Sequence, residues 1–253
     1  MNRTSGLLLT LLLILTPLSA QDHKDDPDHP LFSYSGDTGP GFWPETSPGC
    51  AASPRQSPID LDHATPDATL APLDLKLHPT PYQLTNSGYT VVATPPAGSG
   101  TLTLNGVLFY LLQFHFHTLS EHTVEGRRGV MELHAVFRNS HHNFVVIGVL
   151  YKLGAPDPFL QSLLTAGLPA KSTAPPVPVA SLNLSQAFPG LASYFTYPGS
   201  LTTPPCSETV TWIVLKPWAE LSPEQFESFR RILGNDFRPI QPTAGRTLRA
   251  TVH

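Results

Sequence analysis

The sequence predicts a mainly β (α+β) fold in one domain, and three observations carry that reading. Short apolar or alternating segments recur along the chain and are separated by turn residues. The 18 glycines and 28 prolines supply those turns, above average usage but below the level of a disordered chain. Two segments carry helix signatures, so a few peripheral helices are expected to pack on a sheet. Taking a 20-residue leader from 253 residues leaves 233, enough for one large core.

From the start of the chain, Met1 to Ala20 reads as an export signal. Arg3 supplies the positive end, Leu7 to Leu15 the apolar region and Pro17 to Ala20 a small-residue exit. The apolar run is too short to span a bilayer. No later segment is long and apolar enough either, so the mature protein is expected to be soluble, in a periplasm or secreted, with no membrane partner. Residues 21–33 are expected to form a polar, flexible N-terminus in which His23 and His29 read as part of a solvated tail. The domain proper is expected over 34–253. The formal net charge is −4, and losing the +1 of Arg3 makes it −5. With that balance and no basic block, nucleic acid is not an expected partner.

Two cysteines are present, Cys50 and Cys206. In an exported chain an isolated pair most often forms a disulfide. It would close a loop of about 157 residues, worth roughly 5 kcal/mol at most in the chain-entropy model. Spacing alone leaves two buried thiols open.

Thr101 to Leu104, then Asn105-Gly106, then Val107 to Leu112 is a hairpin signal. Phe144 to Lys152 and Thr209 to Lys216 are continuous apolar runs, expected as buried strands. Asp157, Pro158 and Gly167 bracket a short helix holding Leu160, Leu163 and Leu164. Ser222 caps a second helix, with Pro223 at its first position and Gln225 as capping-box partner. Phe226, Phe229 and Leu233 form its inner stripe, and Gly234 ends it.

Gln113 to Val136 carries the chemistry. Two alternating runs flank a polar loop with Gly126 and Gly129, so two strands joined by a turn are expected. Alternation puts Gln113, His115 and His117 on one face, with Phe114 and Phe116 on the other. On the second run Glu132, His134 and Val136 share a face, while Leu133, Ala135 and Phe137 point away. Paired with the polar faces aligned, the strands bring three imidazoles together. His-x-His alone is weak, since a half-exposed strand can carry two histidines without function. What strengthens it is an acceptor two residues before each of two ligands, Gln113 before His115 and Glu132 before His134. Such acceptors fix a metal-bound ring's tautomer. Three neutral nitrogen ligands with an open fourth position make a catalytic zinc site, Zn2+ being favoured by ligand type.

The run QFHFH, then SEHTV, then ELHAV resembles the zinc-binding core of the alpha-class carbonic anhydrases, of the bacterial exported type. Five further segments match that family in the same order: RQSPIDL (55–61), TNSGYTV (85–91), VIGVLYKLG (146–154), YFTYPGSLTTPP (194–205) and VTWIVLK (210–216). The resemblance runs from about Tyr34 to Arg246. It implies a large twisted, mostly antiparallel central sheet with the metal on central strands. It also implies reversible hydration of carbon dioxide to bicarbonate and a proton by zinc-bound hydroxide, and it favours the Cys50–Cys206 bridge.

The resemblance assigns further roles. Thr202 would accept the hydroxide's hydrogen and donate its own to Glu121, since an ionised carboxylate can only accept. Without that likeness both read as turn and loop residues. Thr203 lies beside the same cavity, where it would hydrogen-bond bicarbonate. Val136, Val146, Leu201, Val210 and Trp212 match an apolar pocket wall, though each by itself reads as generic core. His122 reads as a structural partner of Glu132 and not a ligand. Tyr34 and Tyr197 are candidates for the surrounding hydrogen-bond network. His63, His78, His141, His142 and His253 carry no motif and read as surface.

Two departures stand out. Thr118 replaces a frequent tryptophan after the second histidine, which should affect metal retention more than mechanism. Tyr89 stands where fast members carry the histidine that relays the proton out. A phenol, with an ordinary pKa of about 10, is a poor relay, so activity is expected to depend on added buffer. The expected partners are carbon dioxide and bicarbonate, with a homodimer left open. Two alternatives remain: a non-catalytic binding module on the same fold, whose relatives lose zinc histidines that this chain keeps, and a zinc esterase. The HExxH signature of a zinc peptidase is absent.

Overall fold

The computed structural model describes residues 32–252. The leader expected over Met1–Ala20, most of the polar segment after it and His253 lie outside the described residues. Among the described residues a 13-stranded sheet organises the chain. Its central path runs through Tyr194–Gly199, Val210–Leu215, Phe144–Leu153, Met131–Arg138, Val107–His117, Val91–Thr94, Thr80–Asn86 and Val177–Leu182. Most neighbours are antiparallel; Phe144–Leu153 and Val210–Leu215 pair in parallel at the centre. This is the mainly β single-domain architecture the sequence predicts.

Alternation along the strands sorts the two faces. Phe114, Phe116, Leu133, Ala135 and Phe137 enter the larger core. The helices Pro158–Ala166 and Pro223–Leu233 cover it with Phe159, Leu160, Leu163 and Phe229. Each such side chain contributes on the order of 1.5–3 kcal/mol by leaving water. Truncating buried Phe229 to alanine should therefore cost about 3–5 kcal/mol.

Both helices begin as their caps dictate. Asp157 Oδ1 accepts from the amides of Phe159 and Leu160. Ser222 and Gln225 form a reciprocal capping box. Gln225 does more than cap its own helix: its Oε1 accepts from Asp157 N at 2.8 Å and its Nε2 donates to Asp157 O at 2.9 Å. One glutamine thus ties the two helix starts together.

The hairpin pairs Leu104 with Val107. Asn105 and Gly106 both have positive φ, 51° and 76°, the two-residue turn that suits the twist of paired strands. The connection after His117 is more than a turn. It holds a small ribbon of Thr123–Val124 and Arg127–Arg128. Asp60 anchors that ribbon by accepting from Thr123 Oγ1 at 2.6 Å and Gly126 N at 3.0 Å. Ser120, Glu121 and His122 are buried beside it, and their amides find partners in Gly129 O and Glu132 Oε2. The strands at Thr80–Asn86, Val177–Leu182 and Tyr194–Gly199 are not predicted above. Each carries a proline (Pro81, Pro178, Pro198), the residue that argues against a strand in sequence.

Candidate metal centre

The two histidine strands, Val107–His117 and Met131–Arg138, are antiparallel neighbours. Their register sets His115 directly opposite His134, His117 opposite Glu132 and Gln113 opposite Val136. The ligand atoms of His115, His117 and His134 all lie within 4.8 Å of one another.

Each ring has one nitrogen already committed. His115 Nδ1 donates to Gln113 Oε1 at 2.9 Å. His117 Nδ1 donates to the backbone carbonyl of Asp236 at 2.5 Å. His134 Nε2 donates to Glu132 Oε1 at 2.9 Å. A ring that donates from one nitrogen offers a lone pair at the other. The free lone pairs are therefore His115 Nε2, His117 Nε2 and His134 Nδ1.

Burial lowers all three ring pKa values. His115 falls well below the ordinary value, His117 is pushed down to about 4, and His134 is lowered too. The rings are neutral at physiological pH. Buried His117 Nε2 has no hydrogen-bond partner, and neither has buried Glu121 Oε2. Three convergent lone pairs beside an unpaired acceptor fit a cation such as zinc, and they fit no buried neutral packing.

Glu132 is the hub of the next layer. Its Oε1 also accepts from His122 Nδ1 at 2.7 Å. Its Oε2 accepts from the amides of Glu121 and His122 at 2.8 and 2.9 Å. Burial alone would raise its pKa; His122 and His134 overcome this and hold it well below the usual carboxylate range. Gly148 makes room for the group, since a Cβ there would stand 2.8 Å from Glu132 Oε1. His122 is a partner of Glu132, and its Nε2 lies 2.7 Å from the Tyr197 hydroxyl. That hydroxyl donates to Ser57 Oγ at 3.0 Å.

Glu121 is fully buried. Its Oε1 accepts from the amide of Arg238 at 2.8 Å. Burial raises its pKa, opposed by His134, the Arg238 amide and the nearby Thr202 hydroxyl. Thr202 is buried and Thr203 half-buried. Val136, Val146, Val210 and Trp212 form one buried cluster with Leu201 packed on its side. Register puts Gln113, Val136, Val146, Trp212 and Tyr197 in a single row across five strands. The apolar wall is thus continuous with the histidine face. Trp212 is edge-on to His134, with ring centroids 4.8 Å apart.

Tyr89 is half-buried and stacks on Phe32, centroids 3.8 Å apart and planes 7° from parallel. Both belong to a cluster with Trp43, Tyr34, Cys50 and Cys206. The two cysteines are joined. The Tyr34 hydroxyl is buried without a partner, and burial pushes its pKa well up. His63, His78, His141 and His142 are exposed. Sequence reasoning missed Asp236 and Arg238, which reach the site 119 and 117 residues away from His117 and Glu121. They act through a backbone carbonyl and a backbone amide, groups that every residue has and no motif reveals.

Comparison with known proteins gives the same picture. The family model described as eukaryotic-type carbonic anhydrase matches residues 38–252. A carbonic anhydrase of Nostoc sp. is 38% identical over 222 residues, covering 85% of this chain and 84% of that one. One of Neisseria gonorrhoeae is 32% identical over 252 residues, covering 96% and 95%. The solved alpha-carbonic anhydrase of Photobacterium profundum superposes with a TM-score of 0.81 at 35% identity, over 86% of this chain and 99% of that one.

Proposed function

We propose, since this chain belongs to the eukaryotic-type (alpha) carbonic anhydrase family, that it hydrates carbon dioxide reversibly at a zinc ion held by His115, His117 and His134. The observation that carries this reading is the set of three neutral imidazoles whose second nitrogens are all committed and whose free lone pairs converge. When bound, zinc supplies Lewis acidity that brings a coordinated water's pKa to about 7, an effect whose standard example is carbonic anhydrase itself.

The chain's residues do the rest. Neutral ligands leave the cation's charge undiminished, where carboxylates or thiolates would offset it. Gln113, the Asp236 carbonyl and Glu132 hold the rings in their working tautomers. Thr202 would donate its one O–H as a hydrogen bond to Glu121, so its oxygen is left to accept a hydrogen bond from the attacking hydroxyl group. That points the nucleophile's lone pair at the substrate carbon. Carbon dioxide has no charge or dipole to grip, and the wall of Val136, Val146, Leu201, Val210 and Trp212 suits it. Thr203 would hydrogen-bond bicarbonate as it leaves. The proton then departs by water or buffer, because Tyr89 offers a phenol where an imidazole would relay it.

The presence of His115, His117, His134, Glu121 and Thr202 together argues against a binding module, and ester hydrolysis would be a side reaction of the same nucleophile. Export to a periplasm or the exterior is part of the proposal. The Cys50–Cys206 bond suits an oxidising compartment, and among the described residues no helix is long and apolar enough to cross a membrane. The test is stopped-flow hydration of carbon dioxide at several buffer concentrations, with zinc quantified alongside. Fast, buffer-dependent hydration that His117→Ala abolishes together with zinc binding is the expected result. Stoichiometric zinc with no hydration at any buffer level would overturn it in favour of a binding module.

A further inference from the structure

One histidine of the metal centre is held by a loop, and the loop is held by a side-chain latch. His115 and His134 donate to Gln113 and Glu132, residues of their own strands. His117 instead donates to the backbone carbonyl of Asp236, which follows the helix Pro223–Leu233. A carbonyl on a loop is oriented only as well as the loop is fixed.

The fixing comes from Thr118, the residue directly after His117. Its amide donates to Asp236 Oδ1 at 2.6 Å, and the Asp236 amide donates back to Thr118 O at 2.9 Å. The Thr118 hydroxyl donates to the carbonyl of Gly234 and lies 3.3 Å from Asp236 Oδ1. Both residues are about 1% exposed. The other carboxyl oxygen, Asp236 Oδ2, has no hydrogen-bond partner and lies 3.8 Å from His117 Nδ1. His117 therefore has two acceptors within reach, the carbonyl and this oxygen. Thr118 decides between them by holding the carboxyl through Oδ1. A switch to Oδ2 would turn the ring and move Nε2 off its convergence with the other two histidines.

We propose that Thr118 and the Asp236 side chain are positioning residues that set how long the site retains its metal, by fixing the carbonyl that orients His117. This rests on the reading of His117 as a zinc ligand. Neither side chain touches the substrate or the reacting atoms. Their effect should appear in metal release, which a merely structural role would leave alone in protein that remains folded.

The test loads wild type, Asp236→Asn, Asp236→Ala and Thr118→Val with zinc. Release into excess chelator is followed well below each variant's melting temperature, and the metal-free melting curves are recorded beside it. Asp236→Asn keeps the acceptor oxygen and should release within about threefold of wild type. Asp236→Ala strands the Thr118 amide and should release about 10- to 100-fold faster, the usual scale for losing a group that supports a ligand. Thr118→Val keeps size and loses the hydroxyl, so it should fall between them. Release from Asp236→Ala at the wild-type rate, or equal acceleration in Asp236→Asn, would overturn the latch. If Asp236→Ala does not fold, wild-type release from Thr118→Val overturns it alone. Wild-type protein that takes up no zinc would overturn the latch and the zinc reading together, whereas loaded wild type with unmoved variants removes only the latch.

Discussion

His117 Nε2 and Glu121 Oε2 stand 3.7 Å apart in the protein interior, and neither makes a hydrogen bond. A buried lone pair facing a buried carboxylate oxygen is unfavourable unless something positive or proton-bearing lies between such groups. The proposed roles, His117 as a metal ligand and Glu121 as the carboxylate that orients the nucleophile, account for both being left open. In the proposed reading Thr202 and Glu121 act as one unit, the hydroxyl lying near enough to lower the carboxyl's pKa. Thr202→Ala should lower kcat/KM for hydration by about 10²-fold through misaimed attack, with zinc content unchanged. Glu121→Gln should lose a similar amount. The double variant should be little worse than the poorer single one, because residues acting as a unit are not additive. Losses that multiply in the double variant would show that the two act separately.

In the proposed hydration reaction Tyr89 would bear on the rate of proton exit. Without a relay, proton loss to water is limited to roughly 10³ per second, the diffusion limit multiplied by a dissociation constant of about 10⁻⁷. Turnover should therefore rise steeply with buffer concentration. Tyr89→His should raise the rate at low buffer and change it little at high buffer. An unchanged rate at low buffer would place the exit elsewhere.

The chemistry was more legible in the sequence than the fold around it. Gln113, His115 and His117 declare a shared face by spacing two, and Glu132 and His134 do the same, so half the centre follows from pleat geometry. The helices were legible because caps are side chains: Asp157, Ser222 and Gln225 act where the sequence places them. What stayed hidden acts through the backbone or over long separations. The Asp236 carbonyl and the Arg238 amide carry no residue code. Nor does the approach of Gly148 to Glu132, which needs the register of two strands. Proline concealed several outer strands. The parallel pairing at the sheet centre could not be read locally, because its partners are joined by a 56-residue excursion from Leu153 to Val210.

The Cys50–Cys206 bond closes most of the chain, with a sequence separation of 156. In the chain-entropy model this is worth about 5 kcal/mol at most. For a domain of this size each kcal/mol moves the melting temperature by about 2–4 °C, so Cys50→Ser with Cys206→Ser should lower it by on the order of 10 °C. The bond also borders the site. Arg238 donates through its guanidinium to Cys50 O at 3.0 Å and through its amide to Glu121. Gln56 donates to Cys206 O at 3.2 Å. Activity should therefore fall at temperatures where the double variant is still folded. Full activity there, measured beside the melting curve, would confine the bond to a stabilising role.

The three proposed ligand histidines also shape how the metal-free protein responds to acid. In the unfolded chain each ring takes up a proton near the ordinary value of about 6.5. In the folded chain burial holds that uptake back, to about 4 for His117 and well below the ordinary value for His115. Between those values the unfolded state binds more protons, so stability falls as pH falls. Glu132 acts in the same direction lower down, its folded pKa lying below the unfolded one, so its contribution is lost as pH drops through the folded value. Glu121 and Asp236 run the other way, because burial raises both and the folded state keeps their protons. Their opposition begins at the ordinary carboxylate value and extends upward to their raised folded values, so it offsets part of the histidine effect. With the stronger opposing group removed, metal-free Asp236→Asn should therefore melt at progressively lower temperature from about pH 7 to about pH 5. His117→Gln in that background should show a shallower slope, because it removes one of the withheld protons. A melting temperature that is flat across this window, or a slope unaltered by His117→Gln, would mean that the rings are not held neutral by the fold.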